Sequence, residues 1–157
     1  MKKTLKIIAW SAFVFYCLAL IYIFIIQRIN FYSGHYKLED FFVHSNFVPF
    51  KTLYDYIVRI ANDSIKLDIV IVNLVGNLIV FLPMGCFLPC LFQKMQNFKG
   101  TILLVLGIVL SIELGQILFG LGSFDVDDVI FNVGGAMIGY GVMCIPTVKT
   151  FCSKWLS

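Results

Sequence analysis

Long apolar runs dominate the pattern of hydrophobic and polar positions along this chain. Residues 7–26, 69–92 and 129–148 contain no charged side chain, and residues 101–119 contain one, Glu113. A helix that crosses a bilayer needs about 20 mostly apolar residues. The pattern predicts an all-α integral membrane protein of one domain, residues 1–157, with four transmembrane helices in a bundle over about 7–26, 67–92, 101–120 and 128–148.

A different pattern occupies the loop between the first two predicted spans, residues 27–66. From about residue 50 to 62 the apolar side chains recur every three or four positions, and the charged ones lie on the opposite face. This segment is too polar to cross a membrane. It predicts a short amphipathic helix in the outer membrane interface, with packing against other outer loops as the alternative.

Composition supports the membrane prediction. The chain is 60% hydrophobic and 13% charged, with a mean hydropathy of +0.92, whereas soluble domains are about 45–50% apolar and about 25% charged. These values exclude an ordinary soluble domain and a disordered chain. The net charge of +3 comes with no dense basic patch, so nucleic acid is not an expected partner.

Lysine placement predicts the orientation of the spans. Lysines precede the first span and occupy both the loop after the second span and the C-terminal tail, whereas the loop after the third span holds only acids. Because lysine and arginine concentrate in cytoplasmic loops, both termini are predicted to be cytoplasmic. The first span is predicted to be a retained anchor, since it is longer than a signal-peptide core and no A-x-A-like site follows it.

The five cysteines predict no disulfide. Four lie within predicted spans, and Cys152 lies in the predicted cytoplasmic tail, where thiols stay reduced. Cys152 is a candidate for palmitoylation. Cys86 and Cys90 are four residues apart, but no further ligands complete a zinc site.

Polar residues inside the predicted spans indicate a site, because the bilayer makes them costly. Asn77, Glu113 and Asn132 lie roughly 15, 12 and 8 Å from the outer surface at 1.5 Å per helical residue. Asn73 precedes Asn77 by one turn, and Gln116 shares a helix face with Glu113. These five residues predict one polar cluster that opens outward.

Glu113 is the strongest single candidate for a functional residue. A bare carboxylate at that depth costs about 2.5–3.5 kcal/mol, and no predicted span contains a lysine or arginine to pair with it. Protonation, hydrogen bonds from the neighbouring amides, or a cation would relieve the cost; the cation could be a metal, Arg28 or Arg59. Glu113 is therefore a candidate general acid or base, with interhelical bonding as the alternative role.

The acidic run Asp125, Asp127 and Asp128 lies beside this cluster. Together with Glu113 these residues are candidate oxygen ligands for a divalent cation such as Mg²⁺ or Ca²⁺. Capping of a helix N-terminus explains one or two of the aspartates equally well. The sequence does not identify a cofactor.

Small residues predict two faces of close helix packing. Gly107, Ser111 and Gly115 recur every four positions in the third span, and Gly135 and Gly139 do so in the fourth. Such spacing lets transmembrane helices approach closely. The two faces predict either a tightly closed bundle or a homo-oligomer.

Three blocks of sequence make the chain resemble the VanZ-like family of bacterial membrane proteins. They are NFVPF at 46–50; NLVGN at 73–77 with FLPMG at 81–85 and Pro89; and SIELGQ at 111–116 with FDVDD at 124–128 and NVGG at 132–135. Members often carry an arginine shortly before the Phe-Asp pair, where this chain has Gly120 to Ser123. A cation, or a basic group from the first loop, is expected to take its place.

The resemblance implies a four-span protein of the bacterial cytoplasmic membrane with a link to teicoplanin-type glycopeptide resistance. It implies contact with membrane lipids and with a lipid-linked cell-wall precursor or a lipoglycopeptide at the outer face. The predicted ligand-binding residues are Asn46, Asn73, Asn77, Glu113, Gln116, Asp125, Asp127, Asp128 and Asn132.

Three functions remain open from the sequence. The first is a non-enzymatic modulator that binds a lipid, precursor or drug at the polar cluster. The second is an intramembrane enzyme in which Glu113 moves a proton and the aspartates hold a cation. The third is a partner subunit that docks through its glycine faces. His35 and His44 have no evident nucleophile nearby in the sequence.

Overall fold

The computed structural model describes residues 2–32 and 45–155, and their regular structure is helical. Three helices in this part of the chain are long and apolar enough to cross a membrane, and there are four if one bent pair counts as a span. The predicted all-α membrane bundle is therefore confirmed. The elements are α1 (Lys2–Ile21), a π-helical turn (Tyr22–Ile26), α2 (Gln27–Tyr32), α3 (Lys51–Ala61), α4 (Leu67–Leu91), a 3₁₀ turn (Gln93–Met95), α5 (Phe98–Leu118), α6 (Val126–Met143) and α7 (Pro146–Trp155).

The first helix continues past its predicted end at residue 26. The π-helical turn and α2 extend it without a break to Tyr32. Arg28, predicted to lie in the loop, therefore stands on a helix. It lies at the end of the bundle where α5 ends and α6 begins, which we call the polar end.

The fourth predicted span, 128–148, is shorter than predicted. Helix α6 ends at Met143, and α7 begins at Pro146 with its axis turned by 80°. Proline has no backbone N–H and suits the first position of a helix, while it disfavours helical geometry in the residue before it. The chain therefore changes direction at this point instead of continuing straight.

Helices α4 and α6 pack backbone against backbone. A β-carbon at Gly135 or Gly139 would collide with the carbonyls of Leu78 or Leu82 on α4. The α6 glycine face is thus used inside the bundle. On α5, by contrast, a β-carbon at Gly107 would meet no atom of the described residues within 4 Å beyond its own helix backbone.

The hydrophobic core lies between α1, α4, α5 and α6. Phe81, Val105 and Ala136 are fully buried in it. Helix α1 joins this core through aromatic contacts and through the Tyr16 hydroxyl, which donates to the Val80 carbonyl at 2.7 Å.

The prediction of no disulfide is wrong for one pair. Cys90, near the end of α4, is bonded to Cys152 on α7, and their Cα atoms are 5.5 Å apart. The hydropathy pattern does not predict this contact, because it depends on the turn at Pro146, which brings α7 back toward the end of α4. Cys152 is buried, so it is not an exposed lipidation site in this structure.

Candidate functional site

The segment before α3 lies along the start of α6. The Asn46 N–H donates to the Phe124 carbonyl at 2.7 Å, and the Val126 N–H donates to the Asn46 carbonyl at 2.9 Å. These two bonds form a parallel bridge between Asn46 and Asp125. The bridge fixes the outer-loop segment against the polar end.

Asp127 holds the N-terminus of α3. Its carboxylate accepts the backbone N–H groups of Phe50 at 2.5 Å, Thr52 at 2.8 Å and Leu53 at 3.3 Å. Helix α3 has no side-chain cap of its own, because Phe50 occupies the capping position. A carboxylate at a helix N-terminus satisfies free donors and favours the helix dipole. Asp127, 1% exposed, therefore caps α3 from another helix.

Asp125 has a similar structural role. Its carboxylate accepts the Thr52 hydroxyl at 2.6 Å, the Asn46 amide at 3.0 Å and the Asp127 N–H at 2.9 Å. The last of these bonds caps α6. We call Asn46, Thr52, Asp125 and Asp127 the docking set, because their contacts fasten α3 to α6.

A second group lies deeper, which we call the interior set: Asn77, Glu113, Gln116, Asp128 and Asn132. The Asn77 amide donates to the Asp128 carboxylate at 2.5 Å, and the Asp125 N–H donates to the Glu113 carboxylate at 3.4 Å. Glu113 is 2% exposed, and Gln116 and Asn132 are each 1% exposed. Three helices, α4, α5 and α6, supply these side chains.

Two oxygens of the interior set are buried without a hydrogen-bond partner among the described residues. They are Oε1 of Gln116 and Oδ1 of Asn132. The amide nitrogen of Gln116 donates to the Phe24 carbonyl at 3.1 Å, which fixes which end of that amide is the oxygen. A buried acceptor left unpaired costs about 1–3 kcal/mol. Both oxygens therefore favour a bound hydrogen-bond donor.

Arg28 brings positive charge to the interior set. Its guanidinium interacts electrostatically with both Glu113 and Asp128 and lies against the backbone of Gly122. Arg28 was one of the cations considered for Glu113 but was not among the predicted site residues. The signal that pointed to it was the lack of any lysine or arginine inside the predicted spans.

Asn73 does not join the other predicted site residues. It is exposed, and its amide donates to the Ile69 carbonyl one turn earlier in α4, at 3.0 Å. Although Asn73 and Asn77 are one turn apart, only Asn77 reaches α6. Asn73 satisfies its hydrogen bonding within its own helix.

The four candidate metal ligands do not converge. Among the described residues, no group of three or more His, Cys, Asp or Glu side chains could hold a metal ion. The carboxylates of Asp125 and Asp127 turn toward α3, whereas those of Glu113 and Asp128 belong to the interior set. His35 and His44 lie outside the described residues.

An apolar groove runs along α5 and ends beside the interior set. It has a volume of about 550 Å³, and we call it the α5 groove. Gln116 belongs both to the interior set and to the wall of this groove. The other lining residues include Ile25, Leu104, Gly107, Ser111, Gly115 and Leu121.

Comparison with known proteins assigns the family. Residues 13–147 match the family model described as VanZ/LLP1. The chain belongs to the VanZ/LLP1 family. It is also similar to "Protein VanZ" of Enterococcus faecium, at 33% identity over 67 residues. This match covers 43% of the chain and 41% of that protein, so the chain spans less than half of the relative's length. No solved structure matches the chain.

Arg28 also lies beside the loop that precedes Phe124. The residues of that loop, Gly120 to Ser123, include no arginine. In this VanZ/LLP1 protein the guanidinium of Arg28 lies against Gly122. A basic group from the end of the first long helix thus supplies charge beside the buried Glu113 and the half-buried Asp128.

Proposed function

We propose that this chain is a multi-pass protein of the bacterial cytoplasmic membrane that lowers susceptibility to teicoplanin-type glycopeptides by binding an amphiphile at its polar end. The amphiphile is a membrane lipid, a lipid-linked cell-wall precursor or the lipoglycopeptide itself. The observation that carries the proposal is the interior set, with two buried and unpaired carbonyl oxygens on Gln116 and Asn132. A headgroup with hydrogen-bond donors would satisfy them.

The α5 groove supports an amphiphile over a purely polar ligand. Its volume of about 550 Å³ is within the range of about 300–1,000 Å³ that is common for ligand sites. Gly107 and Gly115 leave its floor open, since in the described part of the chain no atom outside their own helix backbone lies within 4 Å of their missing β-carbons. Because Gln116 lines this groove and belongs to the interior set, one ligand can place an acyl chain in the groove and its headgroup at the polar end.

Orientation is part of the same proposal. Lysines flank the helix ends opposite the polar end, at the start of α1, before α5 and along α7. The preference of lysine for cytoplasmic loops supports a polar end that faces outward. Lipid-linked precursors and glycopeptides meet at that outer face. The exposed apolar side chains of α3, Tyr54 and Ile57, suit the outer membrane interface.

The test compares two substitutions that each remove one carboxylate. Glu113→Gln changes the interior set with little change in shape, whereas Asp55→Asn changes an exposed acid on α3. In a susceptible bacterium that expresses the chain, Glu113→Gln should lose protection against teicoplanin and Asp55→Asn should keep it. Thermal unfolding of the purified variants checks that both are folded. Unchanged teicoplanin susceptibility on deletion and on overexpression would overturn the proposal.

A second measurement identifies the source of the amphiphile. Native mass spectrometry of the protein released from membranes should show a co-purifying lipid or precursor, and added teicoplanin should either displace it or bind in its absence. Glu113→Gln should weaken whichever adduct forms. Absence of every adduct from the wild-type protein would contradict binding at the polar end.

An intramembrane enzyme is the second candidate. One observation favours it: the hydrogen bond to Glu113 from the Asp125 N–H is long, at 3.4 Å, and such a carboxylate can accept a substrate proton. Lipid and precursor profiles of a deletion strain distinguish the two candidates. An enzyme predicts an accumulated or missing species, whereas a binder predicts an unchanged profile.

A further inference from the structure

We propose that Arg28 is the positioning residue of the interior set and that Gly122 is the gap that admits its guanidinium. The activity part of this inference rests on the proposed function above. Its structural part concerns only the contacts among α2, the loop before α6 and the interior set, and it can be tested on folding alone.

The π-helical turn determines where Arg28 points. A π-helical turn accommodates one extra residue, which rotates the following helix by about 100° at 3.6 residues per turn. Phe24 lies inside this turn, and its carbonyl accepts the side-chain amide of Gln116 at 3.1 Å. Gln116, itself a member of the interior set, thus holds the turn that directs Arg28 toward Glu113 and Asp128.

Gly122 supplies the space for the guanidinium. A β-carbon on residue 122 would lie 2.7 Å from Nη1 and 3.9 Å from Cζ of Arg28, and it would meet no other described residue within 4 Å. The backbone of Gly122 does not need glycine, because the positive φ in this loop belongs to Gly120. Alanine at position 122 would therefore displace one group, the Arg28 guanidinium, and leave the loop unstrained.

Charge explains why this placement matters. Glu113 is buried and Asp128 is half-buried, and an unpaired buried charge is strongly unfavourable. Arg28 interacts with both of them and is itself only partly buried. Arg28 thereby sets the net charge that Glu113 and Asp128 present to a ligand headgroup.

The folding test is a double-mutant cycle in lipid nanodiscs. Arg28→Ala and Gly122→Ala should each lower the melting temperature, and Gly122→Ala should have no further effect once Arg28→Ala is present, because its single contact is gone. Gly141→Ala is the matched control, since among the described residues no atom outside its own helix backbone lies within 4 Å of its missing β-carbon. Additive effects of the two substitutions, or a Gly122→Ala variant as stable as wild type, would overturn the inference.

Compensating substitutions distinguish a positioning role of Arg28 from a general contribution to stability. In the double variant Arg28→Ala/Gly122→Arg, a guanidinium enters the same space from the other side, so both melting temperature and teicoplanin protection should recover. In the triple variant Arg28→Ala/Glu113→Gln/Asp128→Asn, the buried charge is removed, so stability should recover while protection stays lost. Recovery of protection in the triple variant would overturn the proposed function, because Glu113 is absent from it, whereas a triple variant no more stable than Arg28→Ala would refute the role of Arg28.

The outcomes also keep the two proposals apart. If Glu113→Gln retains protection, the proposed function fails whatever the folding cycle shows. If Glu113→Gln loses protection but Arg28→Ala and Gly122→Ala retain it, the proposed function stands and the role of Arg28 is refuted.

Discussion

Removal of the Asp127 carboxylate is the most direct test of how α3 is attached at the polar end. Its carboxylate caps a helix that is distant in sequence, accepting three backbone N–H groups at the start of α3. Asp127→Ala would leave those donors without a partner and remove a negative charge from the N-terminus of α3. We expect α3 to detach from α6 while the long helices stay folded.

The magnitude follows from the number and kind of bonds. A hydrogen bond to a charged group contributes about 1.5–3 kcal/mol, and loss of an N-cap costs about 0.5–2 kcal/mol. The three donors share one carboxylate and can bind water once α3 is released, so the full sum does not apply. A cost of about 3 kcal/mol raises the detached fraction on the order of 100-fold. Asp127→Asn keeps one acceptor oxygen and should cost roughly half as much.

Hydrogen–deuterium exchange across α3, residues 51–61, measures this directly. Exchange should accelerate strongly in Asp127→Ala, less in Asp127→Asn and not at all in Asp55→Ala, which removes an exposed acid from the same helix. Unchanged exchange over α3 in a folded Asp127→Ala protein would refute the capping role. Equal acceleration by Asp55→Ala would show that charge on α3, and not the cap, holds the helix in place.

Three further predictions concern the bundle. Gly135→Ala should destabilise it by roughly 1–3 kcal/mol, because the new β-carbon would collide with a backbone carbonyl of α4. Gly134→Ala is the control, because no atom of the described residues outside its own helix backbone lies within 4 Å of the added β-carbon. It should leave the melting temperature unchanged or slightly higher. Equal effects of Gly135→Ala and Gly134→Ala would contradict the α4–α6 packing. Tyr16→Phe removes a 2.7 Å hydrogen bond and should lower the unfolding free energy by about 1 kcal/mol in chemical denaturation; full retention would show that the bond is not formed. The Cys90–Cys152 disulfide should be present in the purified protein under oxidising conditions, whereas alkylation in intact cells should find both as free thiols, because a cytoplasmic pair is kept reduced. A disulfide in cells would contradict the proposed orientation.

The sequence predicted the long helices well, because hydropathy is a local signal. Helix α4 was predicted over 67–92 and is found at Leu67–Leu91, and the amphipathic segment at about 50–62 is found at Lys51–Ala61. The errors lie where tertiary contacts decide the geometry. The continuation of the first helix through a π-helical turn involves a tertiary contact, the Gln116 amide on the Phe24 carbonyl. The bend at Pro146 follows from the geometry of proline, which hydropathy does not register either.

The interior set was predictable for a physical reason. Depth in a bilayer and position on a helix face follow from residue number, so Asn77, Glu113 and Asn132 were expected in the outer half of the bilayer on three helices. Asn73 was misplaced, because periodicity does not say whether a side chain bonds to its own helix. Asp125 and Asp127 were assigned to the ligand, but their partners are backbone and hydroxyl groups of a segment 73–79 residues away in sequence.

The acids of the polar end thus belong to two sets, and substitution of an acid should have a different effect in each set. The docking set fastens α3 through bonds to its backbone, so loss of Asp127 changes how α3 covers the polar end and leaves the interior set intact. The interior set holds the unpaired oxygens, so loss of Glu113 changes what can be bound. Asp127→Ala should therefore alter the rate at which an amphiphile exchanges, whereas Glu113→Gln should alter its affinity. If the acids formed one cluster with a single role, both variants would lose binding in the same way. Exchange kinetics measured on the two variants therefore distinguish a single cluster from two sets with separate roles.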